Sequence, residues 1–503
     1  MGPRSGAVLA GATAGATGLA VAELVSALLR GRVSPVLAVG EWVIKVTPGA
    51  VAERAISTVG QADKPLLVAG VVAAVLALSA LAGVVMLRRR GVGTTLLMLL
   101  PLVAVLTGLT RPDARPVDVL PSLIGGVTGL AVALWLVPRA RMATSGSAED
   151  GPTRRRFLTD VGLAVLASGV LGAVSRWAGR GRRAVEEARR ALGQGLRPPE
   201  QPSGVDLGVS GIAPWETPNA GFYRIDTALA PPLLEPVGWE LRIHGMVERE
   251  LRVTYADLVD RGMQSAWITL CCVSNEVGGE LIGNAYWHGV RIDDLLAEAG
   301  VSPDADALLS TSQDGWTCGT PLVALSDGRD ALLAIAMNGE PLPVEHGFPV
   351  RMVVPGLYGF VSATKWLVDW EVTRFDRFDA YWTERGWAEQ APIKTQSRID
   401  TPRPNDSVVA GRIAVGGVAW AQHRGIARVE LRVDDGDWQQ ATLARVPSID
   451  TWVQWAWQWD AAPGRHTLTV RATDRAGATQ PEQRTDVVPD GASGWHSVSL
   501  DVG

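Results

Sequence analysis

The sequence is poor in the side chains that crosslink chains or ligate metals. It has three cysteines, Cys271, Cys272 and Cys318, and six histidines in 503 residues. Three cysteines cannot build a disulfide framework, and the adjacent pair is poorly placed to bridge. All six histidines lie beyond residue 200, so the first 200 residues contain none that could ligate a b-type haem.

Charged residues are also scarce and unevenly distributed. They make up 20% of the chain, against 47% hydrophobic residues, and the mean hydropathy is +0.14. This composition excludes a disordered chain and a collagen. Residues 1–200 hold 23 Lys+Arg against 12 Asp+Glu, a net charge of +11, and residues 201–503 hold 24 against 40, a net charge of −16. Neither half has the charge pattern of a nucleic-acid-binding module, so we expect no nucleic-acid partner.

Long apolar runs dominate the first half. A membrane-spanning helix needs about 20 apolar residues, and five runs meet or approach that length: 6–29, 65–87, 94–110, 117–138 and 157–175. The third run is the shortest and contains Pro101. The stretch 33–64 mixes charged residues, among them Glu53 and Arg54, with apolar ones and predicts an interfacial segment. We therefore predict an α-helical membrane bundle of about five helices over residues 1–176, and we assign no chemistry to it.

Arginine clusters predict the orientation of these helices. Residues 88–90, Arg139, Arg141 and residues 154–156 are basic and should be cytoplasmic by the positive-inside rule. Five crossings then place everything after residue 176 outside the cytoplasm. The basic run 176–197 is expected to lie near anionic lipid.

Residues 153–159, Thr-Arg-Arg-Arg-Phe-Leu-Thr, precede the last apolar run. One interpretation is an ordinary cluster of positive charges at a helix start. The other is an internal twin-arginine export signal, which serves proteins that fold before export. Both interpretations stay open from this segment alone.

The second half divides into a linker and two domains. Residues 177–204 are charged and end in proline, serine and glycine, which is typical of a linker. Residues 205–398 alternate strands and short helices irregularly, which predicts an α+β domain. Residues 399–503 contain short strands separated by turns, which predicts an all-β immunoglobulin-like sandwich. The alternating Trp452, Trp455, Trp457 and Trp459 indicate a strand with core aromatics or, alternatively, a surface for ligand stacking.

Two segments carry residues suited to chemistry. In residues 269–284 an apolar strand runs into Cys271-Cys272 and then into a Gly-Gly loop. A thiolate at a strand end suits a soft metal, and a buried structural cysteine is the alternative. In residues 346–366 glycines expose backbone N–H groups, and His346, Arg351 and Lys365 supply positive charge. Such a set is suited to an anionic, phosphate-bearing cofactor.

Three motifs together resemble the sulfite oxidase family of molybdopterin enzymes. They are Phe222-Tyr223-Arg224, the segment Thr269–Asn275 and the segment His346–Trp366, and the resemblance extends over about 210–503. It implies that residues 205–398 form a molybdopterin-binding catalytic domain, with molybdenum-molybdopterin as cofactor. It also implies that residues 399–503 form a dimerisation-type domain, and thus a homodimer.

The resemblance implies a role for each of several residues. Cys272 would be the molybdenum ligand and, with the anion-binding Arg224, the catalytic pair. Cys271 would point to the other face of the strand and pack. The implied cofactor-binding residues are Asn219, Phe222, Tyr223, Arg224, Cys272, Ser274, Asn275, His346, Arg351, Ser362 and Lys365.

The implied function is oxygen-atom transfer on a small substrate by an enzyme of a bacterial, membrane-anchored branch. Its catalytic domain would lie on the extracytoplasmic side of the cell membrane, and a cytochrome or quinone system would carry its electrons. Glu276 and Val277 stand where animal and plant sulfite oxidases have basic residues, and Trp387, with Tyr381 nearby, stands where they have a tyrosine. A carboxylate near an oxyanion pocket repels sulfite, which predicts weak activity with sulfite. The alternatives are an S-oxide or N-oxide reductase of the same family and a cofactor-less membrane-tethered binding or adhesion protein.

Overall fold

The computed structural model describes residues 2–29, 34–48, 51, 62–111, 114–145, 154–177, 180–193, 196–404 and 406–503. The chain divides into two compact units. The first is Met1–Glu187 with Thr227–Leu233, and the second is Ala188–Asp226 with Leu234–Gly503.

The first unit is helical. Five of its described helices are long and apolar enough to cross a membrane by length and composition, and they coincide with the five predicted runs. The helices of the N-terminal part of the chain are α1 (Pro3–Leu28), α2 (Pro35–Val46), α3 (Asp63–Met86), α4 (Arg90–Leu109), α5 (Leu120–Ser145), α6 (Arg154–Trp177) and α7 (Arg180–Leu192). Pro101 lies inside α4 without ending it.

Helix α1 packs against α3, α5 and α6 through small residues. A Cβ on Gly11 would come within 2.2 Å of the carbonyl oxygen of Ser79, and one on Gly83 within 2.5 Å of that of Ala7. Only glycine allows backbones to approach so closely, and such contacts are typical of helix packing in membranes. The apolar runs therefore carry helix–helix contacts as well as length.

The described part of the segment predicted to be interfacial includes the short helix α2. It begins at the N-cap Ser34, whose hydroxyl accepts the N–H of Leu37 at 3.3 Å and donates to Glu23 at 2.7 Å. Its 12 residues are too few to span a bilayer. Residues 52–61, with Glu53 and Arg54, lie outside the described residues, as does Thr153 of the arginine motif.

Residues 227–233 belong to this helical unit. The Lys64 ammonium donates to the carbonyl of Ala228 at 2.8 Å, and Leu229 packs so closely on Gly40 that a Cβ there would be 2.6 Å from its methyl group. The sequence did not predict this association.

The α+β part of the second unit is built on two mixed or antiparallel sheets. One has the strand order β2-β1-β10-β5-β6, and the other has β3-β4-β7-β8 with β9 paired to β7. Their strands are β1 (Glu240–Gly245), β2 (Leu251–Thr254), β3 (Gln264–Cys271), β4 (Ile282–Arg291), β5 (Ala307–Ser312), β6 (Thr317–Pro321), β7 (Leu332–Met337), β8 (Glu340–Pro341), β9 (Arg351–Val353) and β10 (Leu367–Thr373). The helices between them are α8 (Tyr255–Val259), α9 (Ile292–Ala299) and α10 (Val323–Ser326).

The C-terminal part is a β-sandwich, as the sequence predicted. Its sheets have the orders β11-β13-β17-β16 and β12-β19-β18-β14-β15. The strands are β11 (Gln396–Thr401), β12 (Ser407–Val408), β13 (Gly411–Trp420), β14 (Ile426–Val433), β15 (Gln439–Gln440), β16 (Thr442–Leu443), β17 (Val453–Ala461), β18 (Gly464–Asp474) and β19 (His496–Val502). Trp455 and Trp459 are buried in the core of the sandwich and the half-buried Trp457 packs against it, whereas Trp452 is buried in the core of the α+β part.

Candidate cofactor and metal site

Cys272 lies one residue beyond the end of β3, in a closed loop. Its N–H donates to the carbonyl of Leu281 at 2.9 Å, and its own carbonyl accepts the N–H of Asn275 at 3.1 Å. The side-chain oxygen of Asn275 accepts the N–H of Leu281 at 2.8 Å. These three bonds close the loop 272–281 and fix the backbone conformation around Cys272.

The two adjacent cysteines have different surroundings. Cys271 is 1% exposed and belongs to the apolar core, whereas Cys272 is 8% exposed and lies outside that core. Burial raises the pKa of both thiols, and that of Cys271 rises well above its usual value. Hydrogen bonding from Ser274 and the positive charge of Lys365 partly offset the rise in the pKa of Cys272. Cys272 is therefore the thiol better placed to act as a thiolate ligand.

Arg351 is a buried cation without a carboxylate beside it. Its guanidinium donates to the carbonyls of His346 at 3.2 Å and Met352 at 3.3 Å and lies 5.0 Å from the ring centroid of Trp287. Burial lowers its pKa to about 10. Across the described parts of the chain, no Asp or Glu forms an ion pair with it. A buried guanidinium held only by carbonyls and an aromatic ring is suited to an anionic ligand.

Lys365 is the second cation of the site; its side chain is 10% exposed, and its partner is Asp226. The ammonium lies 2.8 Å from the Asp226 carboxylate, which also binds the Arg224 guanidinium at 2.8 Å. Burial lowers the pKa of Lys365 to about 8 in spite of this ion pair. The sequence reasoning missed Asp226. It lies two residues after Arg224 in a segment without regular secondary structure, where no pattern marks it.

Gly347 allows Arg351 and Lys365 to lie on either side of one turn. It has a φ of 108°, and a Cβ there would be 3.0 Å from the Cβ of Arg351 and 3.1 Å from that of Lys365. Glycine adopts this backbone conformation at little cost. The glycine of the His-Gly-Phe-Pro segment is thus what brings the two cations together.

The predicted aromatic and amide residues surround these cations. The Phe222 ring lies 5.2 Å from Tyr223, 5.8 Å from Trp287 and 5.6 Å from His346. The Nε2 of His346 faces the carbonyl of Asn219 at 3.3 Å. Burial and the charges of Arg351 and Lys365 lower the pKa of His346 to about 4, so this imidazole is neutral at physiological pH.

Two further predicted residues, Asn219 and Ser362, use their polar groups in hydrogen bonds within the protein. The Asn219 amide nitrogen donates to the carbonyl of Met337 at 3.2 Å, and its oxygen accepts from Asn338 at 2.9 Å. The Ser362 hydroxyl donates to the carbonyls of Leu357 at 3.2 Å and Tyr358 at 3.0 Å. These bonds shape the loops of the site and leave the direct charge recognition to Arg351 and Lys365.

Of the two tyrosines influenced by the thiols, Tyr223 was implied by the sequence and Tyr358 was not. Burial and negative charge on Cys272 and Cys271 raise the pKa of Tyr223 well above its usual value, and burial and Cys271 raise that of Tyr358. The Arg385 guanidinium instead lies over the Tyr381 ring, 3.8 Å from the ring centroid. Trp387 is buried against Phe360, with ring centroids 5.7 Å apart.

The donor set suits a metal that brings most of its own ligands. Among the described residues no group of three or more His, Cys, Asp and Glu is placed to hold a metal ion. The Cys272 thiol, which is 8% exposed and near the charge of Lys365, can supply one soft ligand to a metal held by an anionic organic group. The residues present therefore fit a metal bound through a phosphate-bearing cofactor.

Comparisons with known proteins agree with this geometry. Residues 228–382 match the family described as oxidoreductase molybdopterin binding domain, and residues 396–470 match the bacterial Ig domain. The chain is 29% identical to the mitochondrial sulfite oxidase of Homo sapiens over 323 residues, which are 53% of this chain and 57% of that protein. It is 31% identical over 176 residues to the uncharacterized oxidoreductase YuiH of Bacillus subtilis, covering 35% of this chain and 85% of that one.

A solved structure shares the fold. The sulfane dehydrogenase SoxCD from Paracoccus pantotrophus superposes with a TM-score of 0.51 at 22% identity, over 62% of this chain and 92% of that chain. The chain spans a little over half the length of the human and Drosophila melanogaster sulfite oxidases that it matches. The match to most of the Bacillus protein, the molybdopterin-binding domain and the sulfite oxidase relatives together show that the chain belongs to the sulfite oxidase family of molybdopterin oxidoreductases, whose cofactor is molybdenum-molybdopterin.

Proposed function

We propose that this protein is a membrane-anchored oxidoreductase that transfers an oxygen atom to or from a small substrate on the extracytoplasmic side of a bacterial membrane. The observation that carries the proposal is the pair of cations, Arg351 and Lys365, packed against Gly347, with the Cys272 thiol close enough to Lys365 for that charge to offset part of the rise in the thiol pKa. Each of these residues alone has a structural explanation, but a protein gains nothing in stability from a buried guanidinium without a countercharge.

Different residues of the site would bind different parts of the cofactor. Arg351 and Lys365 would bind the phosphate of the pterin, because both ammonium and guanidinium groups are buried and only Lys365 has a carboxylate beside it. Cys272 would supply the thiolate ligand of the metal. The cofactor, when bound, supplies the two-electron redox chemistry of oxygen-atom transfer.

Three residues near the cations, His346, Tyr223 and Arg224, would orient the cofactor or the substrate or hold a proton at a defined atom. Neutral His346 holds its Nε2 proton toward the Asn219 carbonyl and so adds no third positive charge to the cation pair. Tyr223, whose raised pKa keeps its hydroxyl protonated, can donate a hydrogen bond toward the thiol side of the pocket. Arg224 is about one third exposed and would meet the substrate from the solvent side.

Anchoring in a membrane is supported by the five long apolar helices, and the export direction by the arginine clusters at residues 88–90 and 154–156. Electrons would leave through a separate carrier, either a cytochrome or a quinone system. The first 200 residues contain no histidine, so His-ligated haem is not expected within the membrane part. Residues 399–503 would provide a homodimer interface, as the family resemblance implies.

A substrate panel tests the proposal. Protein produced in a host that makes the cofactor would be incubated with sulfite, dimethyl sulfoxide and trimethylamine N-oxide, each with a dye that accepts or donates electrons. We expect turnover of at least one small oxygen donor or acceptor, abolished in Cys272→Ser. Cofactor-loaded protein that turns over no compound of either kind would favour a binding role for the same site.

A further inference from the structure

The sandwich domain contacts the cysteine loop on both sides of Cys272. Upstream, the N–H of Thr269 donates to the carbonyl of Asp450 at 2.9 Å, and the Thr269 hydroxyl accepts the N–H of Trp452 at 2.8 Å. The Gln422 amide donates to the carbonyl of Thr269 at 3.1 Å. Strand β3 is therefore bonded to the sandwich three residues before Cys272.

Downstream, Arg398 holds the tip of the loop. It lies on β11, is 8% exposed and donates from Nη1 to the carbonyl of Gly279 at 2.7 Å. Its Nε donates to Asp400 at 2.5 Å, and the other oxygen of Asp400 accepts the N–H of Ala213 at 2.9 Å. Because Asp400 neutralises the guanidinium, Arg398 fixes the loop without adding net charge to the substrate side.

His496 packs against the same tip. Gly278 has a φ of 82°, and a Cβ on it would lie 2.3 Å from Cδ2 of the His496 ring. The Nδ1 of that ring accepts the N–H of Ile399 at 3.0 Å, so the ring orientation is set by β11. The backbone of Gly278 thus rests directly on a side chain of β19.

We infer that Arg398 and His496 are positioning residues: the sandwich domain holds the loop 272–281 so that the Cys272 sulfur has one fixed position for the metal. The inference rests on the proposed function, in which Cys272 is the metal ligand. We call the contacts of Arg398 and His496 with the loop the clamp. Without the clamp the loop would still be closed by its own three hydrogen bonds, but its tip would have no support from these two residues of the sandwich domain.

The primary test compares two arginine variants of the full-length protein. Arg398→Met removes the clamp. Arg424→Met is the matched control, because Arg424 also binds a carboxylate, Asp474 at 3.0 Å, and a carbonyl, that of Ile393 at 2.8 Å, but does not bond to the cysteine loop. In cofactor-free protein the rate of Cys272 alkylation by iodoacetamide is followed by mass spectrometry. We expect it to rise at least several-fold in Arg398→Met and to stay near the wild-type rate in Arg424→Met.

This readout needs no metal, so it separates the clamp from the proposed function. Equal Cys272 alkylation rates in the two variants would overturn the clamp, whatever the protein catalyses. In loaded protein, the thiolate-to-metal absorption band should shift in Arg398→Met and not in Arg424→Met.

A second pair of variants tests the His496 contact if Arg398→Met fails to fold. Gly278→Ala places a methyl group against the His496 ring and should raise Cys272 alkylation. His496→Ala removes the ring on which Gly278 rests and should raise Cys272 alkylation as well. If His496→Ala leaves the alkylation rate at the wild-type value, the contact between Gly278 and His496 does not position the loop.

Discussion

At the scale of single residues, the candidate site depends on the ion pair between Lys365 and Asp226. The charge of Lys365 acts on Cys272, and the charges of Arg351 and Lys365 act on His346, so the four residues selected by motif influence one another. Asp226 was missed because a carboxylate in an irregular segment has no periodic pattern to mark it. Its importance depends on a residue 139 positions away, Lys365, which only the folded chain brings within 2.8 Å.

Replacing Asp226 by Asn should destabilise the cofactor-free protein more than the loaded one. Without the carboxylate, Lys365 is a buried ammonium lacking its countercharge, which costs about 3 kcal/mol when one partner of a buried pair is removed. In the loaded protein the phosphate would supply a negative charge in its place. Thermal unfolding of both forms measures the difference, and equal losses in Tm would indicate that Lys365 does not face the phosphate.

The lowered pKa of Lys365 predicts a pH dependence. Its folded-state pKa of about 8 is below the ordinary 10.5, so the folded protein binds this proton more weakly than the unfolded chain does. The contribution of Lys365 is therefore unfavourable below pH 8 and is relieved as pH rises from 8 to 10.5, by at most about 3 kcal/mol. The free energy of unfolding of cofactor-free protein, minus that of Lys365→Met, should rise over this window. A flat difference would contradict the burial of the ammonium.

Glu276 predicts poor activity with sulfite. The carboxylate is exposed on the cysteine loop, four residues after Cys272, where a dianion would be repelled. Glu276→Arg should improve kcat/KM for sulfite several-fold, mainly through KM, and Glu280→Arg on the same loop should improve it less. Fast sulfite oxidation by the unmodified protein, or equal effects of the two changes, would show that Glu276 does not act on the substrate.

At the scale of elements, apolar runs and turn residues predicted most helices and strands. Runs of about 20 apolar residues became helices because the backbone satisfies its own hydrogen bonds, and α9 ends at Gly300, which has a left-handed φ of 71°. The pairing of 227–233 with the helical unit had no such signal. The apolar residues and prolines of segment 227–233 are equally typical of an ordinary loop.

The arginine-rich start of α6 predicts the side of the membrane. An export-dependent reporter fused after residue 200 should be active, and one fused near residue 145 should not. Lys in place of both Arg154 and Arg155 should leave the catalytic domain in the cytoplasm or degraded, because a twin-arginine signal requires the guanidinium pair while the positive charge is kept. Normal export of this double variant would leave only a positive-inside anchor.

At the scale of the whole molecule, the sequence predicted a helical bundle, an α+β domain and a β-sandwich. The structure adds the contacts between the α+β domain and the sandwich. The sandwich was recognisable from its short strands, but nothing in the pattern showed that Arg398 and His496 would touch the cysteine loop. Such contacts join positions about 120 to 220 residues apart, and no local propensity encodes them.

The most direct test of the account is the molybdenum and pterin content of purified protein from a cofactor-competent host. We predict one molybdenum and one pterin per chain in the unmodified protein and in Cys271→Ser, whose side chain packs in the core. Cys272→Ser should lose turnover and the thiolate-to-metal absorption band, because a serine oxygen is a harder ligand. An active preparation with neither molybdenum nor tungsten, or equal losses from the two cysteine changes, would contradict the account.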